Sequence, residues 1–128
     1  MASDSRTAIE KRLAEYLAGP GDELAPLARR YNALPVYRDI GGTLFLSPSG
    51  EVLSLGQTDE NTLRPEKSVE WRTVAAVAAA ERYPELSCLL PVRPTSTSDC
   101  ATCGGSGRVA PRNLRCGNCW GLGWKLAL

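Results

Sequence analysis

Hydrophobic positions in the first third of the chain recur with a helical period. Ile9, Leu13 and Leu17 lie on one face of a 3.6-residue repeat, which predicts an amphipathic helix over residues 6–18. A Gly-Pro-Gly sequence ends this helix, and a second short helix follows it. The second helix is predicted to end near Asn32, because a proline three residues further on disfavours helical backbone before it.

The pattern then changes to the two-residue period of strands. Val36–Ile40 is a predicted strand that Gly41-Gly42 ends. Thr43–Ser47 and Glu51–Leu55 flank Pro48-Ser49-Gly50, and a proline early in a turn with a glycine late in it is typical of a hairpin. One covered face would fix the register of this hairpin. Two leucines share a face on each arm: Leu44 and Leu46 on the first, Leu53 and Leu55 on the second.

A polar segment over residues 56–67 is predicted to be a loop, and a third helix follows over about residues 68–83. Alanine is frequent in this helix and has the highest helix propensity of all residues. Trp71, Val74 and Ala78 form one stripe of it, which predicts that this face is buried.

The composition of the chain changes near residue 92. Beyond this point glycine and cysteine become frequent, and two of the three tryptophans lie there. Residues 93–98 contain proline, serine and threonine and are typical of a semi-stiff linker. We therefore predict an α+β fold in two parts. A small domain of helices and a β-hairpin occupies residues 1–92, and a separate module occupies residues 99–128.

Charge and hydropathy favour a cytoplasmic protein without a membrane segment. The formal net charge is +1, which gives no general electrostatic reason to expect a nucleic acid or an acidic membrane as the partner. Val74–Ala80 is the longest mostly apolar stretch and is too short to cross a bilayer. The amino terminus shows no basic-then-apolar signal pattern, so the cytoplasm is the expected location.

One pattern occurs twice in the second part. Residues 100–107 read Cys-Ala-Thr-Cys-Gly-Gly-Ser-Gly and residues 116–123 read Cys-Gly-Asn-Cys-Trp-Gly-Leu-Gly, so both fit C-x-x-C-x-G-x-G. Two residues between cysteines form a tight turn that aims both sulfurs at one point. Two such turns on a hairpin supply four thiolates, the closed coordination of a structural zinc. We predict a zinc-ribbon-like hairpin that binds one structural Zn²⁺ through four ligands: Cys100, Cys103, Cys116 and Cys119.

The same features argue against an enzyme. Four thiolates leave no open position for water at the metal, and the chain has no histidine to act as a general base. A thiol-redox function is an alternative, because C-x-x-C lowers the pKa of a thiol. The fifth cysteine, Cys88, lies among leucines and is predicted to be a buried small hydrophobe.

The paired repeats resemble the cysteine-rich zinc finger of DnaJ-type co-chaperones and its free-standing relatives. The resemblance covers about residues 98–125 and implies zinc bound by the four repeat cysteines and a role in contacting other proteins. Co-chaperones of this type carry four repeats, two zinc ions and a J-domain with a His-Pro-Asp triplet. This chain has two repeats and no histidine. Single-zinc relatives that act as adaptors and inhibitors are therefore the better comparison.

The first part resembles the SUKH superfamily of bacterial toxin-immunity proteins. The likeness consists of a helix, then Gly41-Gly42, then a hairpin around Pro48-Ser49-Gly50. It implies an inhibitor that binds one protein, and it assigns no individual residues.

Bulky and basic residues surround the second repeat. Trp120 and Trp124 are too large for so small a ribbon to bury alone, so they pack on the first domain or on their own hairpin, or they contact a partner protein. Arg108, Arg112 and Arg115 either offset the negative charge of the zinc–thiolate cluster or contact a partner.

The sequence thus predicts a non-catalytic, zinc-binding adaptor, regulator or inhibitor of another protein. Three alternatives are a toxin-immunity inhibitor, a nucleic-acid-binding regulator that uses the arginines, and a thiol-redox or chaperone-like protein. The sequence indicates neither the identity of the partner nor the oligomeric state.

Overall fold

The computed structural model describes residues 2–39, 42–56, 62–93, 95–111 and 114–124. Within these residues the protein is an α+β fold of helices and antiparallel sheets, as predicted. The elements in chain order are α1 (Ala2–Ala18), α2 (Ala25–Tyr31), β1 (Leu34–Asp39), β2 (Gly42–Leu46), β3 (Val52–Leu55), β4 (Arg64–Pro65), α3 (Val69–Arg82), a 3₁₀ helix (Pro84–Leu89), β5 (Arg108–Val109) and β6 (Leu114–Arg115).

The chain divides into two compact units, Met1–Leu90 and Pro91–Leu128. The first unit contains a four-stranded sheet in the order β1-β2-β3-β4, and the second contains the two-stranded sheet β5-β6. No helix in the described ranges has the length and apolar character that crossing a membrane requires.

The predicted hairpin is confirmed as β2 and β3. The backbone N–H of Gly50 donates to the carbonyl of Ser47 at 2.9 Å, and Gly50 adopts a φ of 90° that favours glycine. Leu46 pairs with Val52 and Phe45 pairs with Leu53. The hairpin turn therefore lies at Pro48-Ser49-Gly50, where the sequence predicts it.

Strand β2 is buried on both faces, which is more than the one covered face that is needed to fix its register. Leu44, Phe45 and Leu46 are all buried, although successive side chains of a strand point to opposite sides. Cross-strand pairing puts Leu46 on the face of Val52, and puts Phe45 on the opposite face with Leu53. The leucines of the two arms therefore lie on different faces.

The predicted loop over residues 56–67 contains a short edge strand, which corrects that expectation. Arg64 and Pro65 form β4 and pair with Ser54 and Leu53 of β3. A proline argues against a central strand, but the edge of a sheet tolerates it because no ladder donor is required there. Residues 57–61 lie outside the described part of the chain.

Helix α3 begins and ends where the sequence predicts. The Ser68 hydroxyl caps its start by accepting the backbone N–H of Trp71 at 3.3 Å, and Pro84 follows its last turn. Val74 and Ala78 are buried as expected. Trp71 is 37% exposed, so its assignment to the buried stripe is wrong.

The 3₁₀ helix that follows α3 buries Leu86 and leaves Cys88 exposed. The prediction of a buried Cys88 is therefore wrong. A 3₁₀ helix has three residues per turn, so a position two residues after a buried one faces away from the core. Arg12 of α1 holds this segment through two hydrogen bonds to the Glu85 carboxylate, at 2.5 Å from Nε and 3.0 Å from Nη2.

Candidate metal centre

The two cysteine pairs converge on one point in the second unit. The four Sγ atoms all lie within 4.8 Å of one another. The Cys100 and Cys116 sulfurs are 3.9 Å apart, and those of Cys103 and Cys119 are 3.7 Å apart. A tetrahedral site with metal–sulfur bonds of about 2.3 Å has sulfur–sulfur edges of about 3.8 Å. The four cysteines are free thiols that could hold a metal ion.

Reciprocal backbone hydrogen bonds bring the repeats together. The N–H of Cys100 donates to the carbonyl of Gly123 at 2.8 Å, and the N–H of Cys116 donates to the carbonyl of Gly107 at 2.8 Å. In each case the first residue of one repeat bonds the last residue of the other. The repeated sequence is therefore also a repeated structure with an approximate two-fold arrangement about the four sulfurs.

The residues that flank the repeats pair in the same reciprocal way. Arg108, directly after the first repeat, pairs with Arg115, directly before the second, in the β5–β6 sheet. Trp124, directly after the second repeat, forms an isolated antiparallel bridge with Asp99, directly before the first. These pairings thus join the residues on both flanks of the two repeats.

Glycine is required where the repeats cross. A Cβ atom on Gly107 would lie 2.4 Å from the carbonyl oxygen of Gly121, and one on Gly123 would lie 2.4 Å from that of Gly105. Both crossing glycines also have positive φ, at 78° and 91°. The two glycines of each C-x-x-C-x-G-x-G copy therefore let one backbone pass directly over the other.

The same glycines donate to the sulfurs. The N–H of Gly107 lies 3.3 Å from Cys103 Sγ, and the N–H of Gly123 lies 3.2 Å from Cys119 Sγ. Donors aimed at sulfur favour the thiolate, which is the form that binds a metal.

The thiols are not equivalent in their acidity. The pKa of Cys100 is lowered to about 6, chiefly by the backbone N–H of Cys103, and the Asn118 amide at 3.6 Å from its sulfur contributes in the same direction. Burial raises the pKa of Cys119 to about 11. At neutral pH the metal-free site therefore contains an ionised Cys100, whereas the proton of Cys119 must be displaced by an incoming cation.

Metal affinity is expected to fall on acidification more steeply below pH 6 than above it. Above the pKa of about 6, Cys100 carries no proton for the metal to displace; below it, about one additional proton competes with each ion bound. Competition for Zn²⁺ against a chromophoric chelator, from about pH 5 to about pH 8, measures this dependence. A constant slope through pH 6 would contradict the assigned acidity of Cys100.

The two tryptophans predicted near the site differ in their burial. Trp124 is 6% exposed, whereas Trp120 is only partly buried. Trp120 has a φ of 59°, and Gly104 at the equivalent position of the first repeat has a φ of 65°. Left-handed backbone is ordinary for glycine but is an outlier for a bulky residue.

Two of the three predicted arginines are described by the structure, and both flank the cysteine repeats. Arg108 and Arg115 are cross-strand partners and both are partly buried, while Arg112 falls outside the described residues. Like charges directly opposite each other destabilise a sheet. A metal with four thiolates carries two net negative charges and would offset them.

Sequence reasoning missed two contacts around the sulfurs. The Asn118 amide also donates to the Thr102 hydroxyl at 3.1 Å, which ties the two C-x-x-C turns to each other. Arg93 forms an ion pair with Asp99 at 2.9 Å, next to the first ligand, and donates to Thr97. The position of Asn118 between two cysteines could have indicated its contact with the other turn. No local pattern indicated the ion pair of Arg93 with Asp99.

Comparisons of the chain with family models, with curated proteins and with solved structures found no match. The description of the site therefore depends on its own geometry. That geometry defines a class of site: a closed cluster of four thiols on two reciprocally bonded turns, which could hold a metal ion.

Proposed function

We propose that the second unit binds one structural Zn²⁺ through Cys100, Cys103, Cys116 and Cys119, and that the protein acts by contact with another protein. The sulfur–sulfur distances of 3.7 and 3.9 Å carry the metal assignment, because they match the edges of a tetrathiolate zinc site. The ion would take the place of a larger hydrophobic core, because the buried cluster in the described part of this unit consists of cysteines, with Val109 packed beside them.

A non-catalytic role follows from the same coordination. Four sulfur ligands leave the ion no position for water or substrate, and the chain contains no histidine to supply a general base. A rigid ribbon is well suited to presenting side chains to a partner. The resemblance of the repeats to DnaJ-type zinc fingers supports an adaptor, a regulator or an inhibitor of one partner protein.

Trp120 supports the contact role more strongly than Trp124, the other aromatic residue of the unit. Its left-handed backbone costs free energy on the order of 1 kcal/mol or more, and the equivalent position of the first repeat avoids this cost with Gly104. The indole is also partly exposed, whereas that of Trp124 is buried. A strained and accessible tryptophan suits an interface anchor, and the zinc-held turn supplies the rigidity that keeps it in place.

Replacing Trp120 by glycine is expected to weaken partner capture strongly without loss of metal. Glycine adopts the φ of 59° freely, so the turn around Cys119 should keep its geometry. The missing indole should weaken partner binding by about tenfold or more. Affinity capture from native lysate, followed by quantitative mass spectrometry and zinc analysis of the bait, measures both effects.

Val92→Gly is the matched control, because Val92 is an apolar residue of the same unit with 91% exposure. It should leave both metal content and captured proteins unchanged. If Trp120→Gly captures the same proteins in the same amounts as wild type, Trp120 is not the contact residue.

A further inference from the structure

The first unit contains a half-open cavity on one face of its sheet. The cavity has a volume of about 200 Å³. Its floor includes Tyr37, Leu44 and Ser54, which are cross-strand partners on β1, β2 and β3 and so share one face. Trp71, near the start of α3, forms a wall.

Two aromatic rings line this cavity at an angle. The ring centroids of Tyr37 and Trp71 lie 6.4 Å apart and their planes are inclined by 41°. The Ser68 cap fixes the first turn of α3, and a strand carries Tyr37, so rigid elements hold both rings. Trp71 is nevertheless 37% exposed, which leaves part of the indole open to a ligand.

Glu66 is the one charged residue among the described residues that line the cavity. Its backbone N–H donates to the carbonyl of Val52 at 2.8 Å, so the residue extends the edge of the sheet in a fixed position. One carboxylate oxygen accepts the N–H of Lys67 at 3.1 Å. A carboxylate residue and two aromatic residues that line one cavity are complementary to a positive charge, because the faces of aromatic rings also attract cations.

We propose that this cavity binds the cationic side chain of a lysine or arginine on a partner polypeptide. The aliphatic part of the side chain would pack on Leu44, and the ammonium or guanidinium group would lie between Glu66 and the two rings. A volume of about 200 Å³ is below the range typical of sites for drug-sized ligands, which favours a single side chain. The assignment concerns the first unit and does not depend on what Trp120 contacts.

Titration of the full chain with blocked amino acids tests the proposal. The probes are the N-acetyl methylamides of lysine, arginine and norleucine, the last of which has an uncharged side chain of similar shape. Two-dimensional NMR of the ¹⁵N-labelled, zinc-loaded protein follows the amides around Glu66 and the indole N–H of Trp71. Both cationic probes are expected to shift these signals in a saturable manner, and added salt should weaken their binding.

Glu66→Gln is expected to weaken both cationic probes about two- to fivefold while leaving the fold intact. Glu70→Gln is the matched control, because Glu70 is an exposed glutamate of α3 that does not line the cavity. The Trp120→Gly protein should bind the probes as wild type does, which separates this test from that of the zinc ribbon. Norleucine binding as strong as lysine binding, or no saturable shift with any probe, would overturn the proposal.

Discussion

Replacing Cys116 by serine is expected to abolish metal binding and to unfold the second unit, while the first unit keeps its structure. Cys116 is fully buried at the centre of the sulfur cluster, and a serine hydroxyl is a poor ligand for a soft thiolate site. Zinc binding to such small modules supplies about 10–16 kcal/mol, most of which is folding free energy. The buried cluster of cysteines offers no apolar core to replace it.

Elemental analysis and NMR of the purified full chain measure this effect. Wild type should contain one zinc per chain, and Cys116→Ser should contain none. The amide signals of residues 99–124 should collapse to random-coil positions, while those of the first unit stay dispersed, because that unit has its own core around Phe45, Ile9 and Leu34. Iron in place of zinc would retain the tetrathiolate site but correct the identity of the ion.

Cys88→Ser is the matched control for this substitution. Cys88 is the fifth free cysteine; it is exposed, lies in the first unit and is not a member of the four-cysteine cluster. It should therefore retain both the metal and the folded second unit. Loss of zinc from Cys88→Ser, or retention of zinc by Cys116→Ser, would disprove the assigned ligand set.

The sequence predicts well the structural features that depend on contacts between neighbouring residues. The C-x-x-C turns, the hairpin around Pro48-Ser49-Gly50 and the start of α3 at the Ser68 cap all depend on contacts within a few residues. Each could be read from residue type and spacing. The convergence of the four sulfurs also belongs here, because two copies of one motif on a short hairpin have few ways to meet.

The missed features depend on pairing between distant parts of the chain. Arg64–Pro65 becomes an edge strand only because β3 offers it a ladder, and a proline there suggested a loop. Alternation along β2 places Phe45 on the face opposite to Leu44 and Leu46, but it does not reveal that both faces are buried. The exposure of Cys88 has a different, local cause, because a 3₁₀ helix replaces the buried apolar run that the composition suggested.

The reciprocal hydrogen bonding of the repeats could be predicted only in part from the sequence. The glycines of the motif indicated close backbone packing around the sulfurs, but not that each repeat would pack on the other. The carbonyls of Gly105 and Gly121 occupy the space that a side chain on Gly123 or Gly107 would need. The glycines are thus as necessary for the site as the cysteines, and this can be tested separately from metal ligation.

Gly107→Ala is expected to destabilise the zinc-bound module far more than alanine at two other glycines of the same repeats. Its Cβ would lie 2.4 Å from the Gly121 carbonyl oxygen, and φ is 78°, so the new methyl group must both separate the repeats and tolerate a left-handed backbone. The displaced backbone also carries the N–H that donates to Cys103 Sγ. We expect a loss of about 3 kcal/mol or more in the free energy of unfolding of the module.

Two further substitutions, Gly104→Ala and Gly117→Ala, separate the effect of the clash on the free energy of unfolding from the effect of backbone strain. Gly104 has a φ of 65° but open space around its Cβ position, so alanine should cost only the strain, about 1 kcal/mol. Gly117 has open space and no positive φ, so alanine should be nearly neutral. Thermal unfolding of the zinc-loaded proteins, followed by the NMR signals of the second unit, gives the order. Equal stabilities for Gly107→Ala and Gly104→Ala would contradict the close approach of the repeats at this carbonyl, because Gly107, unlike Gly104, combines the clash with an N–H that donates to Cys103 Sγ.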